Sequence, residues 1–251
     1  MIKYCLLALS LCYLITSCNK TGNTVGVKEG LIYYPLQIGK YKIYKIDSVT
    51  FRQLANSQIQ KDTYSFQLRE TYIDTFTDNA KILNYIILRE KRTSDTALWQ
   101  IANVASTALT AETALRTDNN LTFIKMPLAF IDKTAWNGDA FIDSTVNIEI
   151  AGGTLELISK KRWNWNYDVE NFDQPTQIDK TIFPNVLTIL SQIDPTILTE
   201  KRYTLEKYAK NVGLIYKEQS ILDSQNLNSA LSWTQRAQKG FILTQRIVSY
   251  N

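Results

Sequence analysis

Bulky apolar residues alternate with polar ones along much of this chain. In Tyr64-Ser65-Phe66-Gln67-Leu68-Arg69 and on to Tyr72 they take the even positions, the two-residue period of a half-buried strand. Comparable runs cover Tyr41 to Phe51, Ile82 to Arg89, Leu98 to Val104, Leu121 to Met126, Phe141 to Ile150, Leu155 to Trp163, Val186 to Ser191, Arg202 to Lys207, Leu214 to Ile221 and Gly240 to Tyr250. Turn chemistry separates them, as at Asp78-Asn79, Asp118-Asn119-Asn120, Asn137-Gly138 and Gly152-Gly153. Short strands at this spacing predict an all-β fold, a single antiparallel domain with a curved, barrel-like sheet. Ala105 to Arg116, rich in alanine and leucine, is the one stretch that reads as helix, although its threonines favour strand. The pattern breaks between Asp168 and Asp179, which reads as a long loop inside one domain.

The amino terminus follows another logic. One charge at Lys3 precedes an apolar run from Leu6 to Ile15, and Ile15-Thr16-Ser17-Cys18 then has the form of a lipobox. The run is typical of an export-signal core and falls short of the ~20 residues a membrane-crossing helix needs. Residues 1–17 are therefore expected to be a lipoprotein signal peptide and Cys18 the lipidation site. Residues 18–30 form a flexible tether and 31–251 the β-rich domain. Asn19-Lys20-Thr21-Gly22-Asn23-Thr24 is polar and slack. Several acyl chains on Cys18 would hold the membrane far better than one. Cys5 and Cys12 fall in the signal, so the mature chain keeps Cys18 alone and must be held by its core rather than by disulfides.

Composition removes several chemistries. The 251 residues include no histidine, which takes away the usual general base, the Ser-His and Cys-His nucleophile pairs and the commonest transition-metal ligand. No phosphate-binding glycine loop, G-x-S-x-G elbow or S-x-x-K motif stands in the mature chain. Carboxylate chemistry of the glycoside-hydrolase kind survives, since it needs two acids ~5–10 Å apart. Its candidates are Asp47, Asp74, Asp143, Glu149 and Glu218, and for each a solvated acid on a strand face is the plainer reading. The expectation is a non-catalytic protein without metal or cofactor. Removing Lys3 from the formal +4 leaves a small positive excess, and Lys160-Lys161-Arg162, its densest cluster, reads as a solvated strand face rather than a nucleic-acid site.

Trp163-Asn164-Trp165-Asn166-Tyr167 is the candidate for ligand binding. On a strand Trp163, Trp165 and Tyr167 share one face. Exposed, that row could stack on sugar rings; buried, it is core, as Trp136 and Trp233 are expected to be. A curved sheet with aromatic inner positions could also enclose a lipid. A lipid or glycan binder predicts an aromatic-lined cavity or groove, and a hydrolase predicts two acids across it, one with a raised pKa.

Several segments resemble an uncharacterised Bacteroidetes lipoprotein family. They are Leu31-Ile32-Tyr33-Tyr34-Pro35-Leu36-Gln37-Ile38-Gly39 with Tyr41, Tyr44 and Asp47-Ser48; Met126-Pro127-Leu128 with Trp136-Asn137-Gly138; Tyr208 to Glu218; and Gly240-Phe241 through Ser249-Tyr250-Asn251. Asp139 stands where such proteins often have Asn, and Asn211 where Gly is frequent; Asn tolerates the left-handed backbone such a turn would need. The resemblance implies a β fold, a place in the cell envelope and no assigned activity. It implies further that the lipid anchors the chain in the outer membrane facing the periplasm, because surface-exported relatives carry acids soon after the cysteine and here none precedes Glu29. O-linked glycans of that group follow Asp-Ser or Asp-Thr before a small or aliphatic residue, which makes Ser48, Thr96 and Ser144 candidate acceptors. Membrane lipid and a glycan or lipid ligand are the expected partners, with no protein partner indicated.

Overall fold

Alternation becomes sheet almost throughout the body of the protein. The computed structural model describes residues 29–142, 147–148, 158–159 and 165–251. The signal peptide, Cys18 and most of the tether lie outside the described residues, as do Asp143, Ser144, Glu149, Lys160-Lys161-Arg162 and Trp163. A short helix α1 (Glu29–Tyr33) opens the described body and takes in Glu29 and Gly30, the last two residues expected in the tether. Then come β1 (Tyr41–Gln53), β2 (Ile59–Thr77), β3 (Leu83–Arg92), β4 (Gln100–Leu109), β5 (Thr113–Asp118), β6 (Leu121–Pro127) and β7 (Ala135–Asn137). A minor pair, β8 (Asn147–Ile148) and β9 (Ile158–Ser159), precedes β10 (Asn166–Ile178), β11 (Thr181–Gln192), β12 (Glu200–Ala209), β13 (Gly213–Asp223), helix α2 (Trp233–Arg236) and β14 (Lys239–Tyr250).

Twelve of these strands make one antiparallel sheet in the order β6-β5-β4-β3-β2-β1-β14-β13-β12-β11-β10-β7. It consists of two meanders zipped where first and last strands meet, from Lys42 opposite Tyr250 to Phe51 opposite Gly240. Its outer edges also come together: the Ile124 amide donates to the Gly138 carbonyl at 2.8 Å, and Trp136 Nε1 donates to the Ile124 carbonyl at 3.1 Å. The sheet thus curls into a nearly closed barrel. Barrel diameter grows with strand number, and twelve strands leave more interior than side chains fill in an eight-stranded barrel.

One end is stopped by the segment before β1. Gly30 donates to the Leu128 carbonyl, Asn211 to that of Ile32 and Gly39 to that of Tyr72. Tyr34 turns inward, its hydroxyl 2.9 Å from Thr107 Oγ1, and joins Tyr33, Leu128, Phe130 and Tyr208 in the largest apolar cluster. Asn211 adopts φ 62° in the β12–β13 turn, the left-handed backbone anticipated there.

Two expectations are corrected. Ala105 to Arg116 is not helix: it supplies the end of β4 and most of β5. Its alanines are small to admit the plug, since Ala105 packs with Tyr72 and Leu36, and Ala114 with the cluster holding Tyr33 and Tyr34. Asp168 to Asp179 is not a loop but most of β10. Its register against β11 shifts three times, and the last shift skips Pro175 together with Pro184, so neither proline has to donate to the ladder. Asp173, at φ 55°, accepts from Tyr33 Oη at 2.7 Å and lies 2.7 Å from Lys210 Nζ.

Candidate functional site

Above the plug, the barrel encloses a cavity of about 1260 Å³. That exceeds the ~300–1,000 Å³ usual for a small-molecule site. It reaches solvent at the end away from α1, where exposed Tyr64, Leu98, Ile101 and Asn119 line it. Leu98 is 87% and Ile101 72% exposed, so the rim carries apolar surface among polar side chains that include Lys91, Arg92 and Asn119. Farther in, Phe66, Leu68, Leu121, Phe123 and Leu243 form the apolar part of the wall.

Between rim and plug the wall is charged. The inward face of β1 runs Lys42, Tyr44, Ile46, Ser48, and that of β2 runs Phe66, Leu68, Glu70, Tyr72, so charges sit on the same parity as the apolar side chains. Arg116 grips Glu70 through Nη2–Oε1 at 2.6 Å and Nη1–Oε2 at 3.1 Å, and reaches Asp118 Oδ2 through Nε at 2.8 Å. Arg89 adds contacts of 3.2 Å to Glu70 and 3.5 Å to Asp118. Burial raises both carboxyls, but Arg116 and then Arg89 outweigh it and hold Glu70 and Asp118 below the ordinary carboxylate range. Across the lumen, Glu206 accepts from Lys125 at 2.6 Å and from Tyr208 Oη at 2.5 Å, with Lys217 at 3.7 Å. Burial pushes Glu206 up too, and the charges of Lys125 and Lys217 with those hydrogen bonds bring it down to about 2.

These pairings leave a cationic surplus. Inside the rim, where Lys91 and Arg92 also stand, Lys42, Arg89, Arg116, Lys125 and Lys217 face Glu70, Asp118 and Glu206 around one cavity. Among the described residues Lys42 meets no carboxylate in an ion pair: its Nζ donates to Tyr72 Oη at 3.3 Å and lies 5.3 Å from that ring's centroid. Burial lowers Lys42 to about 8 despite the help of Glu70, and Arg116 lowers it further. Lys217 is lowered by burial as well, against Glu206 and with Lys125.

A lysine whose folded pKa lies below its ordinary 10.5 costs stability. The unfolded chain holds the proton more tightly, so the cost is full below about pH 8 and is relieved as pH rises toward 10. Above that the buried tyrosines oppose it, because burial raises Tyr34, Tyr44, Tyr72 and Tyr208 above their ordinary value. Lys42→Met is therefore expected to stabilise the protein by ~1–2 kcal/mol at pH 7, a figure discounted for water in the open lumen. Urea unfolding should show the gap narrowing between about pH 8 and pH 10.

The residues singled out in the sequence are spread over the barrel. Trp165 and Tyr167, 4% and 6% exposed, line the lumen wall instead of forming an outer stacking surface. Trp165 meets Phe123 edge-on at 4.8 Å, and Tyr167 stacks on Trp136 at 5.7 Å. Ser48 also faces the lumen, 6% exposed, where the folded barrel shields it from a glycosylating enzyme, whereas Thr96 is exposed in the β3–β4 turn. Asp47 and Glu218 do come to one face: both lie opposite Thr244 in the ladder, about two strand spacings or ~10 Å apart. That face is the outer one, where Asp47 binds Arg246 at 2.5 Å and Ser65 at 2.6 Å. Asp74 is an exposed strand residue.

The lumen charges were missed, although their signal was present as Lys42, Glu70 and Glu206 occupying the apolar parity of their strands. The outer face carries its own mid-strand charges, including Lys45, Asp47, Glu218 and the Arg69–Glu90 pair at 2.7 Å. Such residues would be costly against lipid, by ~2–4 kcal/mol for each Lys or Arg at mid-bilayer.

Fold and site define a twelve-stranded antiparallel barrel with a plugged floor and a charged lumen. No protein-family model matches the chain, and no curated protein matches it. Among solved structures, a chain described as an exported protein with YmcC-like fold from Bacteroides fragilis is similar, with 12% identity over 87% of this chain and 99% of that one and a TM-score of 0.34. A chain described as a lipoprotein from Parabacteroides distasonis is similar with 10% identity over 88% and 98%, and a TM-score of 0.36.

Proposed function

We propose that this protein is a lipid-anchored binding protein of the cell envelope, non-catalytic, which holds a small ligand in its barrel while acylated Cys18 ties it to the outer membrane on the periplasmic side. The open lumen of about 1260 Å³ above a sealed floor carries the binding part of this reading. A barrel that served only as scaffold would gain stability by filling that space. The anchoring part is supported by Ile15-Thr16-Ser17-Cys18 and by an outer barrel face whose charges suit water better than lipid. The lumen acids are held low and ionised, so none matches the raised-pKa proton donor of a glycosidase.

Binding is tested with N-phenyl-1-naphthylamine, a neutral dye that brightens in apolar surroundings. Uptake of one dye per barrel is expected, and no uptake of the dye or of any twelve-carbon amphiphile overturns the ligand reading. For the anchor, Cys18→Ala expressed in the native host should abolish palmitate incorporation and move the protein out of the detergent phase. Retention of label by that variant would refute acylation at Cys18.

A further inference from the structure

The geometry points to an amphiphilic anion as the occupant of the lumen: a carboxylate or phosphate head beside Lys42 and Lys217, and an aliphatic tail running past Phe66 and Phe123 toward Leu98 and Ile101. This assignment rests on reading the lumen as a ligand site, and it adds the chemistry of the ligand and its direction. Two observations fix the sign of the head. Inside the rim the cavity is lined by five cations and three carboxylates among the described residues, and Glu70 and Asp118 are committed to Arg116 and Arg89, Glu206 first to Lys125 at 2.6 Å. Lys42 is left without an ion pair among the described residues, Lys217 has only a longer 3.7 Å share of Glu206, and both line the one cavity. Enclosed charge of one sign is expensive until a counter-charge enters.

Neutral donors accompany the lysines. Gln245 lies opposite Lys217 in the β13–β14 ladder and also lines the cavity. Tyr72 Oη, which accepts from Lys42 Nζ at 3.3 Å and lines the same cavity, is a second neutral donor beside the lysines. A head with several acceptor oxygens satisfies such a set. Polarity along the barrel gives the direction. Lys42 is the second residue of β1, beside the plug, whereas Phe66 and Phe123 lie nearer the opening and Tyr64, Leu98 and Ile101 rim it. Lys42 at the closed end, with Leu98 and Ile101 exposed at the rim, fits a ligand that enters head first.

Displacement of N-phenyl-1-naphthylamine by four twelve-carbon ligands tests the assignment: dodecanoate, dodecyl phosphate, dodecanol and dodecyltrimethylammonium. At least one anion is expected to bind about tenfold or more tighter than dodecanol, and the ammonium more weakly than either anion. The order of the two anions tells carboxylate from phosphate. Lys42→Met/Lys217→Met should erase the preference, bringing anion and alcohol within about threefold. Dye uptake with anions no tighter than dodecanol overturns the anionic assignment and leaves the ligand reading standing. Failure of the dye and all four ligands to bind overturns the ligand reading itself. The wild-type series decides the matter even if the double variant does not fold.

Discussion

Glu206→Ala is expected to cost about 3 kcal/mol of stability, measured as the loss in urea unfolding free energy. The carboxylate is 1% exposed and serves Lys125, Lys217 and the Tyr208 hydroxyl together. Its removal leaves two lysines in the lumen wall without their counter-ion and a buried hydroxyl without its acceptor. Breaking a fully buried pair usually costs ~3–5 kcal/mol, and the open lumen, where water can approach the lysines, sets the lower end. Acid titration gives an independent signature. The folded pKa of about 2 lies below the ordinary 4.5, so the stabilisation is complete above about pH 4.5 and disappears as pH falls through about 2. Glu206→Gln should lose that part of the acid dependence, and a variant as acid-sensitive as wild type would contradict the ion-pair account.

Gly240→Ala is expected to cost more than about 3 kcal/mol, for a different reason. Gly240 is the second residue of β14 and lies between two strands, opposite Phe51 of β1 and Leu222 of β13. Its φ is +108°, and an added Cβ would lie 1.9 Å from the Ile221 carbonyl oxygen and 2.9 Å from the carbonyl carbon. Backbone on both sides prevents relief, so the ladder joining the two meanders has to open. At roughly 2–4 °C per kcal/mol for a body of this size, the melting temperature should fall by at least ~6 °C. Gly213→Ala separates clash from strain. Its φ is +90°, but its nearest neighbour would be the flexible Lys42 Nζ at 2.9 Å, and a drop of ~1–2 kcal/mol is expected. Equal losses at the two glycines would show that the Ile221 contact is unimportant.

The strands were legible because each runs between a wet face and a largely apolar one. Where that contrast fails, the sequence misleads. Ala105 and Ala114 look like helix formers, yet they are small because Tyr34 and its neighbours enter from the plugged end, a contact from more than seventy residues away in the chain. In β10 the alternation is broken by repeated register shifts, and cross-strand partners in β11 hold as strand what local pattern presents as loop. Closure of the barrel was invisible because it rests on a few bonds between Ile124, Trp136 and Gly138 rather than on a long ladder. The site was half legible. Trp165 and Tyr167 read as either an exposed sugar-stacking row or core, and they lie buried on the lumen wall, whereas Lys42, Glu70, Arg116 and Glu206 pass for solvated charges until the strands close around them.

What occupies the lumen in the native protein tests the account most directly. The protein should be drawn from its own host's membranes in mild detergent and weighed intact, before and after denaturation. The account predicts about one anionic amphiphile per chain, non-covalently held and released on unfolding, with its amount sharply reduced in Lys42→Met/Lys217→Met. A wild-type chain that carries nothing beyond its covalent anchor, and takes up no dodecyl phosphate or N-phenyl-1-naphthylamine when these are offered in excess, would contradict it.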